Sequence, residues 1–240
     1  MPRKLQSTRH SDAPASSEAP EVSAEERSST KERILDSAEE LFAQKGFDGA
    51  RTRDIAARAS VNISTLHFHW KSKEDLYTAV YQRQIARRAE LAKEVIAVFM
   101  QANDAPDRWA AIAQAVVALL FHFFRRYPYA ARLDSYRLLE EAAPHAALQQ
   151  GQALLLSVAE QLRNFLPKDL APTADVALNI LSVNALLREY FAGPEVFGEL
   201  LGEADRSRLE ARLQQHVQQH VTRLFRMFES GPGHADPTVE

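Results

Sequence analysis

Two short stretches of helical periodicity, separated by only three residues, constrain this chain more than any other feature. In residues 53–59, Ile55, Ala56 and Ala59 fall on one side, and from Ile63 to Trp70 the pair Leu66 and Trp70 does the same. Ser60-Val61-Asn62 makes the turn between them. Helices this short are marginal alone and need a surface to pack on. An upstream stripe of Ile34, Ala38, Leu41 and Phe42 supplies one; it follows Thr30, a residue able to cap a helix, and Gly46 stops it. Thr52 is a good N-cap for the first short helix. Ser72 with Asp75 matches the capping signature that opens a further helix at Lys73. Two short helices joined by a tight turn and packed on a third form a helix-turn-helix arrangement.

The second short helix has a face to spare. At about 100° per residue, Ser64 and Phe68 lie nearly opposite Leu66 and Trp70, with Thr65 and His67 on the flanks. The outward side therefore carries hydroxyls and an imidazole. The major groove of DNA admits one helix, Ser and Thr can donate or accept there, and Phe68 suits a thymine methyl. Packing of Phe68 against a neighbouring element is the alternative. Around this helix, Thr52 at a helix start favours an anion, Arg51 and Arg53 flank it, and Lys73 adds a charge. Each basic residue also reads as a solvated surface charge.

Thr52-Arg53-Asp54-Ile55-Ala56-Ala57-Arg58-Ala59, then Val61, then Thr65-Leu66-His67-Phe68-His69-Trp70-Lys71-Ser72-Lys73-Glu74-Asp75-Leu76 closely resembles the DNA-binding region of TetR-family regulators. The upstream Ala38, Leu41, Phe42, Gly46 and Phe47 match as well, so the resemblance covers roughly residues 30–76. It implies an all-α homodimer with a three-helix DNA-binding head and a C-terminal domain that pairs the subunits and usually holds a ligand pocket. It implies phosphate contacts for Thr52 and Lys73, and major-groove contacts within residues 62–69, which brings Asn62 and His69 into the site. The chain departs from the family in having Ser60 where Gly is usual in the turn, His67 where Tyr is frequent, Trp70 where Phe is frequent, and Ile63 where a polar or basic residue is common.

Beyond the head only helices are expected. No strand-like alternation and no internal repeat occur. Pro106, Pro128, Pro144, Pro167, Pro172 and Pro194 punctuate the chain near the edges of apolar segments. Residues 1–29, rich in Ser, Ala, Pro and Glu, read as a disordered tail, and residues 231–240 as a second. The head is assigned to residues 30–76 and the dimerisation and effector domain to residues 77–230. Residues 173–192 are apolar nearly all round, as in a helix packed on several sides. Trp109, His122, Tyr136, Asn179 and Asn184 are candidates to line a pocket for a small apolar effector; ordinary core packing with satisfied hydrogen bonds is the alternative. Leu209, Leu213, Val217, Val221, Leu224 and Phe228 form a narrow stripe, read either as a dimer interface or as a contact between helices of one chain.

Charge and composition fit this division. The chain carries a net charge of −3, yet residues 30–88 are net basic and residues 89–240 net acidic. With no cysteine, disulfide frameworks, thiolate metal sites and cysteine nucleophiles are excluded. His216 and His220 have the spacing of a metal pair but lack a companion carboxylate motif, so no metal and no cofactor are expected. There is no Gly-rich phosphate loop or nucleophile elbow, which argues against an enzyme. The longest apolar run, Trp109 to Phe124, is short for a bilayer span of about 20 residues. The expectation is a cytoplasmic, ligand-responsive repressor that binds a palindromic DNA operator as a homodimer. A helical interaction module without sequence-specific DNA binding is the rival.

Overall fold

The computed structural model describes residues 24–102, 107–139, 145–166 and 172–230, and among these every regular element is a helix. In chain order they are α1 (Ala24–Gly49), α2 (Thr52–Arg58), α3 (Ile63–His69), α4 (Lys73–Gln101), α5 (Arg108–Arg126), α6 (Ala130–Leu139), α7 (His145–Arg163), α8 (Thr173–Ala192), α9 (Pro194–Leu201) and α10 (Arg206–Ser230). None of them is long and apolar enough to cross a membrane.

Helix α1 begins at Ala24, ahead of the expected start at Thr30. Ala24, Glu25 and Glu26 explain the extension: they are good helix formers, and acidic residues suit the positive end of the helix dipole. The rest of the expected tail, residues 1–23, and the expected tail at 231–240 lie outside the described residues, as do Pro106, Pro144 and Pro167. Regular helix ends at Gly46, whose φ of 69° a Cβ would strain. That kink turns Phe47 back into the core, where its ring centroid lies 4.9 Å from that of Tyr77.

Two apolar cores result. The first joins Ile34, Ala38, Leu41 and Phe42 of α1 with Ile55, Ala56, Leu66, Trp70 and the start of α4. The second fills the body, between α4, α5, α7, α8 and α10. Helix α4 belongs to both: Leu76, Tyr77, Val80 and Tyr81 pack in the first core, Val95 and Phe99 in the second. Its 29 residues make a rod of about 43 Å. The head therefore does not close at residue 76 as expected. Its core runs on along α4 and also takes in Leu133 of α6, whose carbonyl accepts from the Tyr81 hydroxyl at 2.9 Å.

Helices α5 and α10 lie against each other along their length. Leu209, Leu213, Val217 and Val221 are 2%, 8%, 0% and 6% exposed. The expected dimer stripe is thus consumed inside one chain, because α5 presents a matching apolar face. Leu224 is half-buried, and the Phe228 side chain lies outside the described residues. Helix α8 matches the expected residues 173–192 and packs against α6, α7 and α9, yet Leu178 and Leu181 remain largely exposed.

Candidate nucleic-acid interface

Helices α2 and α3 are seven residues each and keep their relation through the turn between them. Ser60 adopts φ 55°, the left-handed conformation in which glycine is usual; a serine bears some strain there but keeps the turn. Leu66 is fully buried and Trp70 nearly so, which fixes the roll of α3 about its axis. The opposite side is open. Ser64 and His67 are exposed, and Phe68 is 72% exposed with no core contact, so the outward reading of the aromatic holds. Its ring lies edge-on to that of the half-buried His69, with centroids 5.3 Å apart. Ile63 is exposed at the start of the same helix.

The beginning of α3 is built around Asn62. Its side-chain oxygen accepts the backbone N–H of Thr65 at 2.7 Å, and the hydroxyls of Thr65 and Ser64 at 2.8 Å each. One oxygen thus satisfies an orphan helix N–H and orients two hydroxyl groups. Ser64 and Thr65 therefore face outward mainly as acceptors, and the amide nitrogen of Asn62 has no partner among the described residues. The sequence placed Asn62 in the turn but not as the cap; an Asn directly before a helical stripe was the available signal. The opposite correction applies to Thr52. The N-cap of α2 is Arg51, with no side-chain capping bond, and Thr52 is the first helical residue, half-buried.

The basic residues divide into two sets. Arg58 is bound to Glu40, and Lys45 to Asp54 at 3.5 Å. Arg51, Arg53 and Lys71 are exposed and have no carboxylate partner among the described residues. Lys73 is half-buried; its Nζ lies 4.3 Å from the Phe47 ring centroid and 3.5 Å from the carbonyl oxygen of Asp48, with no carboxylate against it among the described residues. Arg51 and Arg53 thus stand unpaired among the described residues at the start of α2, and Lys71 in the segment that directly follows α3. A surface of this kind attracts a polyanion.

Behind the head lies a polar joint that the sequence reading did not find. Glu39 of α1 is 5% exposed. It is bound by Arg83, by Arg87 at 2.7 Å and by the amide nitrogen of Gln84 at 2.7 Å, all on α4. Its neighbour Glu40 holds Arg58, and burial first, then the Glu40 charge, pushes the Tyr129 hydroxyl above its ordinary value. The signal was present: Glu39 lies between Leu35 and Phe42 at helical spacing, a charge in an apolar stripe.

Further along α4 a cavity of about 290 Å³ opens in the body, lined mostly by apolar side chains of α4, α7 and α8. Asn179 and Asn184 are among the residues that line it. The other three candidates do not. Trp109 is core, its ring stacked on Phe225; His122 points to solvent from α5; Tyr136 on α6 is half-buried away from the cavity. The stretch around Trp109 and His122 is one-sided; its inner face packs on α10 and α4 and gives the cavity Val116 and Leu120, not Trp109. Leu224 and Val221, expected at a dimer interface, line the cavity instead. His216 and His220 are exposed, and no cluster of three metal-ligating side chains occurs among the described residues.

Residues 34–80 match the tetR family of bacterial regulatory proteins. Over 48 residues the chain is 46% identical to YttP of Bacillus subtilis, whose name describes an HTH-type transcriptional regulator; this is 20% of the chain and 23% of YttP. It is 36% identical over 47 residues to IcaR of Staphylococcus epidermidis, named as a negative transcriptional regulator of the biofilm operon icaADBC, covering 20% of the chain and 25% of IcaR. The likeness to these relatives thus spans only about a quarter of their length. In fold, the chain is similar to a transcriptional regulator from Streptomyces coelicolor, with a TM-score of 0.58 and 24% identity over 82% of this chain and 98% of that one.

Proposed function

From residues 34–80, which belong to the tetR family of bacterial regulatory proteins, we propose that the chain is a cytoplasmic transcriptional regulator, acting as a repressor, that reads operator DNA with α3. The observation that carries this reading is the open side of α3: an aromatic 72% exposed, flanked by an imidazole and two hydroxyls, with exposed cations, unpaired among the described residues, in the chain segments before and after it. An exposed aromatic ring on such a helix suits apolar contact with a thymine methyl. Ser64, Thr65, His67, Phe68 and His69 meet base edges in the major groove, together with the Asn62 amide. Arg51, Thr52, Arg53 and Lys73 hold phosphates, which positions the helix without specifying sequence.

The active species is a homodimer on a palindromic operator, its two α3 helices about 34 Å or a multiple apart. With the α10 stripe spent, the exposed Val196 and Leu200 of α9 and Leu178 of α8 are the surface that a second copy covers. A small, mainly apolar effector enters the body cavity and shifts the population between two head spacings, of which one suits the operator. The purified chain, offered random duplexes, should enrich one inverted repeat, and its affinity should fall steeply with salt. Enrichment of no sequence, with salt-insensitive binding, would leave the protein-interaction reading in its place.

A further inference from the structure

Gln84 is 3% exposed and lines the body cavity. Its amide nitrogen is committed to Glu39 at 2.7 Å. Arg83 and Arg87 bind the same carboxylate, so that side of the amide meets an acceptor already held by two cations. Turning the amide over would set oxygen against oxygen, so the orientation is fixed. The other end, Oε1, is buried and has no hydrogen-bond partner among the described residues. A sealed carbonyl oxygen without a donor costs folding free energy, and such groups normally have a partner.

We propose that the cavity takes a small, mainly apolar molecule carrying a hydrogen-bond donor such as a hydroxyl, that Gln84 Oε1 receives this donor, and that Gln84 thereby joins the cavity to the DNA-binding head. This rests on the ligand-responsive reading above and assigns its ligand chemistry. The other polar groups on the wall fit this better than an anionic ligand. Arg88 is already bound to Asp134. Arg188 is half-buried and has no ion-pair partner among the described residues, but a long cation can keep its head in water. Gln84 Oε1 has no such outlet. The amide is planar, so a ligand that moves Oε1 also moves Nε2 against Glu39 on α1. The ligand's presence thus reaches the head through one side chain.

The test uses the full chain with three fluorescent probes of one shape: naphthol, its methyl ether and naphthoate. Naphthol should bind about tenfold more tightly than the ether, in which a methyl group replaces the donor hydrogen. Gln84→Leu should remove that difference while the protein melts normally, since Arg83 and Arg87 still hold Glu39. Naphthol should also weaken binding of the enriched duplex by the wild type, and leave Gln84→Leu unaffected. Equal affinity for naphthol and ether, a ratio that survives Gln84→Leu, no binding of naphthol, or tighter binding of naphthoate overturns the assignment. Naphthol binding without any change in DNA affinity overturns the link to the head. If Gln84→Leu does not fold, the wild-type ratio of naphthol to ether decides. The titrations contain no DNA, so their failure leaves the DNA-binding reading standing, and a protein that binds no DNA still reports on the cavity.

Discussion

Helices α3 and α10 carry apolar side chains at the same three- and four-residue spacing and use them in opposite ways. In α10 the stripe from Leu209 to Val221 is buried against α5. In α3 only Leu66 faces in, and Phe68 stands 72% exposed on the other side. The difference lies in what runs alongside. A helix of 25 residues next to the apolar face of α5 buries its stripe within the chain. A helix of seven residues, pinned by one leucine and a turn, has a side that stands exposed among the described residues. Periodicity states that a face exists; the neighbour decides whether it is core or contact surface.

Charged substitutions on the two kinds of apolar surface should separate them most sharply. Leu213→Asp with Val221→Asp places two unpaired charges in the α5–α10 core. Cooperative thermal unfolding, followed by circular dichroism, should be lost, because each change carries one of the largest penalties a single substitution incurs, above about 4 kcal/mol. Val196→Asp with Leu200→Asp, on exposed positions, should leave the melt intact and yield monomers in ultracentrifugation. Monomers that melt normally from the first pair would return the dimer contact to α10.

The joint between the regions comes next in size. Glu39→Ala leaves Arg87 and Gln84 without their carboxylate, while Arg83 keeps Asp36 at 2.8 Å and Glu32 at 3.3 Å. A loss of about 3–5 kcal/mol in urea unfolding is expected, as for a broken buried ion pair. A change under about 1 kcal/mol would show that water already serves those cations. Smaller still is Lys73→Ala. It should cost less than about 1 kcal/mol of stability through the lost contact with Phe47, while the slope of log affinity against log salt falls by about 1. An unchanged slope would place Lys73 off the phosphate backbone.

The head was legible in the sequence and the body much less so, for a physical reason. Short helices with a tight turn tolerate few residue types at each position, so Leu66, Trp70, Ser72 and Asp75 declare their roles locally. Ser64, His67 and Phe68 were placed outward by angle alone and are exposed. Caps were less certain: Asn62 and Ser60 divide the turn in a way that spacing alone did not reveal, and Thr52 starts α2 rather than capping it. In the body, helix boundaries such as Thr173–Ala192 followed from prolines and apolar runs. The pairing of α5 with α10, the cavity beside α4, and the grip of α4 on Glu39 depend on contacts between residues far apart in sequence. Trp109 and His122 illustrate this: both sit on α5, one inward and one outward, and neither reaches the cavity.

The central claim is that the open side of α3 is a DNA-reading surface, and Phe68→Ala tests it directly. The affinity of this variant and of the wild type would be measured on the enriched duplex and on a scrambled one, alongside their melting curves. The variant should melt within about 0.5 kcal/mol of the wild type, as an exposed substitution does, and lose about 1–3 kcal/mol of binding on the enriched duplex alone. Equal affinity of the two proteins on that duplex would contradict the claim.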